Sequence, residues 1–404
     1  MSTARLLFVE ASVGGVLGGS LTGILHLVRH MDRARFAPEV VLYEPKPAVA
    51  AGLLADGIPT HVLPPLPAPT PDGRRGVLGR ALVRAADLFS VIGPRARALG
   101  AVLRERRPAL VYLANGVTAN LDGVVAAARA GLPMICHEKG YRRVGPVERL
   151  AARRVDVCIG MTDDLVRHFQ QLGMRPKRWV TIYDGIDCRE FAPGGGPAVR
   201  AEFGIPADAP VVGIVGHLQE WKGQRLVVEA VARARRMHPA LRCLVVGGVH
   251  RNGQEYAEAL RARIAEPDLA GHVVLTGERS DVAACLDAMD VAIHASIKPE
   301  PFGRVMIEAM ALGRPVIAPR EAGPLAIVVD GETGLLVTPR DADALAGAIV
   351  ALVGDPERRR AMGRAARARV DAVFDIRHHV RAIEDLCDEV LGRAVPGATG
   401  RAVA

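Results

Sequence analysis

Aromatic side chains make up only 4% of these 404 residues, and lysine occurs five times among 52 basic positions. With so few aromatics, and no interleaving of basic and aromatic positions, the chain lacks a nucleic-acid recognition signature. Its six cysteines, at 136, 158, 188, 243, 285 and 387, include no Cys-x-x-Cys pair. That argues against a zinc site and a disulfide framework, and fits a reducing compartment. No apolar run reaches the roughly 20 residues of a membrane span. The N-terminal segment reads as a short strand carrying Glu10 rather than as a signal peptide. The expected location is the cytoplasm.

Half of the residues are hydrophobic, enough to fill two domains of about 150 to 200 residues each. The formal net charge of +8 favours anionic partners such as nucleotides or an acidic membrane surface. Strand-like runs alternate with helical ones. In the first half they are Leu6-Leu-Phe-Val9, Pro38-Glu-Val-Val-Leu-Tyr43, Leu110-Val-Tyr-Leu113, Pro133-Met-Ile-Cys136, Val155-Asp-Val-Cys-Ile159 and Trp179-Val-Thr-Ile-Tyr183. A glycine loop, Gly14-Gly15-Val-Leu-Gly18-Gly19, follows the first run. After Pro193-Gly-Gly-Gly-Pro197 the rhythm restarts with Val211-Val-Gly-Ile-Val215, Arg242-Cys-Leu-Val-Val246, Val273-Val-Leu275, Val291-Ala-Ile293 and Pro315-Val-Ile317. This pattern predicts an α/β protein with two Rossmann-like, doubly wound parallel-sheet domains facing across a ligand cleft. The expected limits are 1–192 for the first domain, 193–209 for a linker and 210–376 for the second domain. A helix over 377–392 is expected to cross back to the first domain, ahead of a disordered tail at 393–404.

The most informative stretch is Lys298-Pro-Glu-Pro-Phe-Gly-Arg-Val-Met-Ile-Glu308. It follows a buried strand and runs through a Pro-rich loop into a helix that stops at Gly313, so Glu300 lies in the loop and Glu308 about a turn and a half into the helix. Two acids so placed suit one polyol ligand. The backbone amides of Phe302, Gly303 and Arg304, at the helix start, suit an anion. Hydroxyl-binding carboxylates beside phosphate-binding amides point to a nucleotide sugar.

With these residues the chain resembles a retaining GT-B glycosyltransferase of the family 4 type, the group 1 glycosyl transferases. Four pieces carry the likeness: the glycine loop, Gly216-His-Leu-Gln-Glu-Trp-Lys222-Gly223-Gln224, the Glu300–Glu308 stretch, and Ala322-Gly323-Pro324-Leu325 with Gly331-Glu-Thr-Gly334. The resemblance implies that Glu308 holds the ribose hydroxyls and Glu300 those of the donor sugar. Lys222, helped by the amides at 302–304, would neutralise the diphosphate, with His217 and Gly216 in the same phosphate loop. Gly18 and Gly19 would let backbone approach phosphate and acceptor. His137, in Cys136-His-Glu-Lys-Gly-Tyr141, would reach the donor sugar, and backbone near Arg279 would contact the base. No metal or other cofactor is implied, because a lysine and helix-end amides can stabilise the departing diphosphate. No residue is assigned as a nucleophile.

Two positions depart from the family pattern. His217 stands where arginine is common, and a histidine is only partly charged at neutral pH. Ala326 stands where a glutamate is familiar. Other features have plainer readings. Asp341-Ala-Asp343 reads as a helix N-cap rather than a metal motif, and His378-His379 reads as a surface pair. The basic stretch 77–107 could lie on the inner face of an anionic membrane; a crossover helical region with a solvated basic face is preferred. The expected activity is transfer of a sugar from a UDP- or GDP-sugar to a polysaccharide, glycolipid or other glycoconjugate acceptor, in a bacterial biosynthetic setting. A non-hydrolysing nucleotide-sugar epimerase and a non-catalytic nucleotide-sugar-binding protein are the competing readings.

Overall fold

A computed structural model of the chain describes residues 3–11, 19–65 and 86–395. The chain divides into two compact units, Met1–Gly185 with Ile376–Ala404, and Ile186–Asp375.

The first unit carries seven strands: β1 (Ala4–Glu10), β2 (Phe36–Leu42), β3 (Thr60–Val62), β4 (Leu110–Leu113), β5 (Met134–Glu138), β6 (Val157–Gly160) and β7 (Arg178–Thr181). All pair in parallel, in the order β3-β2-β1-β4-β5-β6-β7. A parallel sheet needs crossovers that cover both faces, which is why its central strands are continuous apolar runs. Leu6, Leu7, Phe8 and Val9 are all fully buried. Leu6 and Phe8 share a core with Leu21, Ile24, Leu27 and Val28 of the helix Gly19–His30. The same core takes Ile376, Val380, Ile383 and Cys387, a helical spacing along the last helix, Ile376–Val390. That helix therefore completes the first unit's interior, although the whole second unit intervenes in sequence. Polar contacts fix it: Arg35 donates to Glu384 Oε2 at 3.1 Å and to Asp388 Oδ2 at 2.6 Å, and the Asp32 amide donates to Glu384 Oε1 at 2.6 Å.

The second unit carries β8 (Val211–Val215), β9 (Arg242–Val246), β10 (Val273–Gly277), β11 (Val291–Ile293), β12 (Val316–Pro319) and β13 (Gly334–Val337). Its parallel order is β10-β9-β8-β11-β12-β13. The strand order reverses at β8, whose neighbour on one side is β9 and on the other β11. The helices Gln224–Ala234 and Ala342–Val353 pack on one face and share a core built from Val227, Val231, Leu345, Ile349 and Leu352. Asp341 caps the second of these helices, accepting from the amides of Asp343 and Ala344 at 2.9 and 3.0 Å.

Several sequence expectations change. Residues 193–209, read as a linker, contain the helix Gly196–Glu202 and belong to the second unit. The amides of Gly194 and Gly196 both donate to Asp287 Oδ2 at 2.8 Å, and Arg200 pairs with Asp290 at 3.0 Å. A Cβ on Gly195 would lie 2.6 Å from Ala284 Cβ, so the glycine run serves close packing rather than freedom. Edge strands β3 and β13 were not read as strands, because short, half-exposed edges carry no continuous buried run. In the 77–107 stretch, described from residue 86, Arg106 grips Glu39 with two bonds of 2.8 and 2.9 Å, and the buried Arg95 lies 5.5 Å from the Tyr43 ring centre. Arg80 and Arg84 lie outside the described residues, as does 396–404 of the tail. His379 is buried, with Nδ1 2.7 Å from the Tyr183 carbonyl, so the His378-His379 pair is not a surface pair. No described helix is long and apolar enough to cross a membrane.

Candidate active site

The loops that follow β8 and β11 leave adjacent strands, paired through Val212 and Val291, at the point where strand order reverses. In doubly wound sheets this is where a crevice opens outside the carboxyl ends of the strands. Gly223 makes the two loops touch. Its φ is +76°, and a Cβ there would lie 1.9 Å from the Ala295 carbonyl oxygen; only glycine allows that approach. The Ile297 amide adds a 2.8 Å bond to the Trp221 carbonyl.

This contact delivers Lys222 to Glu300. Lys222 Nζ donates to Glu300 Oε2 at 2.9 Å, Ser296 Oγ donates to the same oxygen at 3.1 Å, and His294 Nε2 stands 3.8 Å from it. Lys222 Nζ also sits 3.9 Å from the centre of the Trp221 ring, a cation–π contact. Burial alone would raise the Glu300 pKa. Lys222, His294 and Ser296 outweigh it and hold the carboxyl below its ordinary value. His294 responds the other way: burial first, with Lys222 adding and Glu300 opposing, lowers its pKa to about 4. Neither His294 nor Ser296 was singled out in the sequence. The one available signal was a histidine inside the otherwise apolar run Val291–Ala295.

The Glu300 loop is anchored from behind. Phe302 is buried with its ring centre 5.9 Å from that of Phe374. Gly303, at φ +101°, precedes the helix Arg304–Ala311. The Gly323 amide donates to the Glu300 carbonyl at 2.9 Å, and a Cβ on Gly323 would lie 2.6 Å from Phe302 Cα. The Ala322-Gly323-Pro324 motif therefore buttresses the loop that carries Glu300. Glu308, one helical turn beyond Arg304, has Oε1 3.8 Å from Arg304 Nε. Burial raises its pKa, with Arg304 opposing and Glu190 adding to the rise. In the loop after β8 His217 is exposed, and the buried Gln224 donates to the carbonyls of His217 and Gly216 at 2.9 and 3.3 Å. Arg279 follows β10, and its guanidinium is engaged by Glu202 and Asp281.

Three expected residues belong to the first unit. Gly19 begins the helix Gly19–His30 of the first unit, and Gly18 lies outside the described residues. His137, at the end of β5, is only 1% exposed. Its Nδ1 is 2.6 Å from Tyr112 Oη, and its ring stacks on His379 with centres 6.2 Å apart. Burial first, then Lys139, lowers its pKa, and its Nε2 is buried without a hydrogen-bond partner.

Residues 197–369 match the sequence family described as glycosyl transferases group 1. Residues 18–185 match the glycosyl transferase 4-like domain. The chain belongs to the group 1 glycosyl transferases. Among curated relatives of this family, D-inositol 3-phosphate glycosyltransferase of Kribbella flavida is 34% identical over 227 residues, 54% of this chain and 53% of the relative. The protein of the same name from Nocardia farcinica is 32% identical over 271 residues, 66% of this chain and 58% of the relative. The matched region thus spans between half and three fifths of these relatives. Of solved structures, Anabaena HepE in complex with UDP and glucose superposes with a TM-score of 0.77 at 25% identity, covering 96% of this chain and all of that one. A glycosyltransferase from Rickettsia africae gives a TM-score of 0.81 at 19% identity over 98% of this chain, a likeness of fold alone. The two parallel-sheet units are those of the GT-B fold.

Proposed function

We propose that this protein transfers a sugar from a nucleotide-sugar donor to a hydroxyl of a glycoconjugate acceptor, with retention at the anomeric carbon. The observation that carries the reading is the junction of Lys222, Ser296 and Glu300 at the strand-order reversal of the second unit, with Glu308 on the helix that follows. On this reading Glu308 receives the ribose hydroxyls and Glu300 the hydroxyls of the donor sugar. Lys222 meets the diphosphate as charge builds on it during bond cleavage. Positive charge fixed where negative charge develops lowers the barrier most when water is scarce. With Lys222 and the helix start at Gly303–Arg304 in that role, the reading involves no metal. The acceptor approaches on the face of the leaving group, and a diphosphate oxygen takes its proton, so no protein nucleophile is needed. UDP is the preferred nucleotide, supported by the UDP held in the HepE structure. The acceptor is a polysaccharide, glycolipid or related glycoconjugate, and the site of action is the cytoplasm or its membrane face.

A thermal-shift series with UDP, GDP, ADP and their sugars tests this directly. A ligand at 100 times its Kd stabilises the folded state by about 2.7 kcal/mol, so a clear rise in Tm with one nucleotide is expected. Glu308→Ala should weaken nucleotide binding by roughly tenfold or more, about 1.4 kcal/mol. Lys222→Ala should mainly slow transfer, by about 100-fold to 1,000-fold. Unchanged turnover in both variants, or an epimerised donor with no acceptor present, would remove this reading.

A further inference from the structure

Lys222 is held by Glu300 at 2.9 Å, yet a diphosphate would compete for the same ammonium. Glu300 is only 14% exposed at its side chain. A carboxylate so enclosed is strongly disfavoured once its counter-charge leaves, unless other donors replace it. Ser296 already supplies one. The second candidate is His294, whose ring is 8% exposed. Its Nε2 is buried without a hydrogen-bond partner and stands 3.8 Å from Glu300 Oε2, roughly 0.6 Å beyond hydrogen-bonding range. The ring lies beside Gly303, where an added Cβ would be in ordinary contact with His294 Cε1 at 3.6 Å. A neutral imidazole carries one N–H, and a histidine needed only for packing would not aim a bare nitrogen at a carboxylate.

Resting on the assignment of Lys222 to the diphosphate, we propose that His294 is a positioning residue that takes over Glu300 when the donor draws Lys222 away. His294 Nε2–H and Ser296 Oγ–H then share Glu300 Oε2, and Oε1 stays turned to the donor sugar. The Lys222–Glu300 ion pair is a resting latch that the diphosphate exchanges, and His294 makes the exchange affordable in a buried setting.

The test is a double-mutant cycle on UDP affinity, read by calorimetry, in His294→Leu, Glu300→Gln and the double variant. His294→Leu should weaken UDP binding about tenfold in the wild-type background and by less than about twofold beside Glu300→Gln, where no carboxylate needs holding. His294→Gln, which keeps an N–H donor, should stay within about threefold of wild type. An equal loss from His294→Leu in both backgrounds overturns the proposal and leaves a packing role. If His294→Leu does not fold, histidine-labelled wild-type protein gives the same answer by NMR. UDP should bring out a protected, downfield imidazole N–H that is missing in His294→Gln, and its absence overturns the proposal. Failure of wild-type protein to bind UDP, GDP or ADP overturns the functional reading itself, whereas UDP binding without coupling overturns this inference alone.

Discussion

Lys222 and Glu300 are 78 positions apart in the chain, and a single glycine brings them within hydrogen-bonding distance. Gly223→Ala would place a methyl group against the Ala295 carbonyl at a positive φ. We expect it to cost more than about 2 kcal/mol of stability and to loosen the lysine, seen as a lowered urea midpoint together with weaker UDP binding. Buried titratable groups make a second expectation at this scale. His294 has a folded pKa of about 4, below the 6.5 or so of an unfolded histidine. The unfolded chain therefore binds the extra proton between these values. Its stabilising share is complete above pH 6.5 and falls by roughly 3 kcal/mol as pH drops to 4. His294→Gln should flatten that slope in urea midpoints taken from pH 4 to 7. Glu138 behaves oppositely. Burial first, against a bond from the Val117 amide and the charge of Arg142, raises its pKa to about 7. Its share of stability is present below the unfolded value near 4.3 and lost as pH rises through 7. Glu138→Gln should therefore stabilise the protein at pH 8 by up to roughly 3 kcal/mol and leave it unchanged at pH 4.

At the scale of elements, the last helix matters most. Its apolar stripe was legible from sequence, but its charged side has meaning only beside Arg35. Glu384 and Asp388 are buried and both meet that guanidinium. Arg35→Met removes the cation that two enclosed carboxylates share, leaving Arg393 at 3.2 Å from Asp388, and we expect a loss of about 3 kcal/mol, measurable as a lower denaturation midpoint. The glycines of 194–196 show the reverse error of reading. A Gly-rich run between prolines looks like a hinge, yet here the missing side chains let backbone amides reach Asp287. Composition cannot distinguish a glycine that bends from one that lets another segment come close.

For the whole molecule, the two units differ in how they are assembled along the chain. The second is continuous, Ile186–Asp375, whereas the first needs Ile376 onward to close its core. A fragment spanning 186–375 should fold cooperatively alone and keep Glu308-dependent UDP binding. A fragment ending at residue 185 lacks Ile376, Val380, Ile383 and Cys387, each worth about 1.5–3 kcal/mol when buried. It should remain unfolded in circular dichroism melts. A cooperative melt from that shorter fragment would contradict the core described here.

The sequence alone determined the class of fold, most of the strands and the motif loops. Each of these rests on local chemistry: unbroken apolar runs, turn glycines, and acids at a fixed distance from a helix start. Tertiary structure decided which of those groups meet. It joined Lys222 to Glu300 across two neighbouring strands, bonded Ser296 to the same oxygen with His294 3.8 Å away, and enclosed His137 and His379 in the first unit's interior. Such contacts depend on strand order and on how closely loops can approach, and a one-dimensional pattern does not encode distances between segments far apart in the chain.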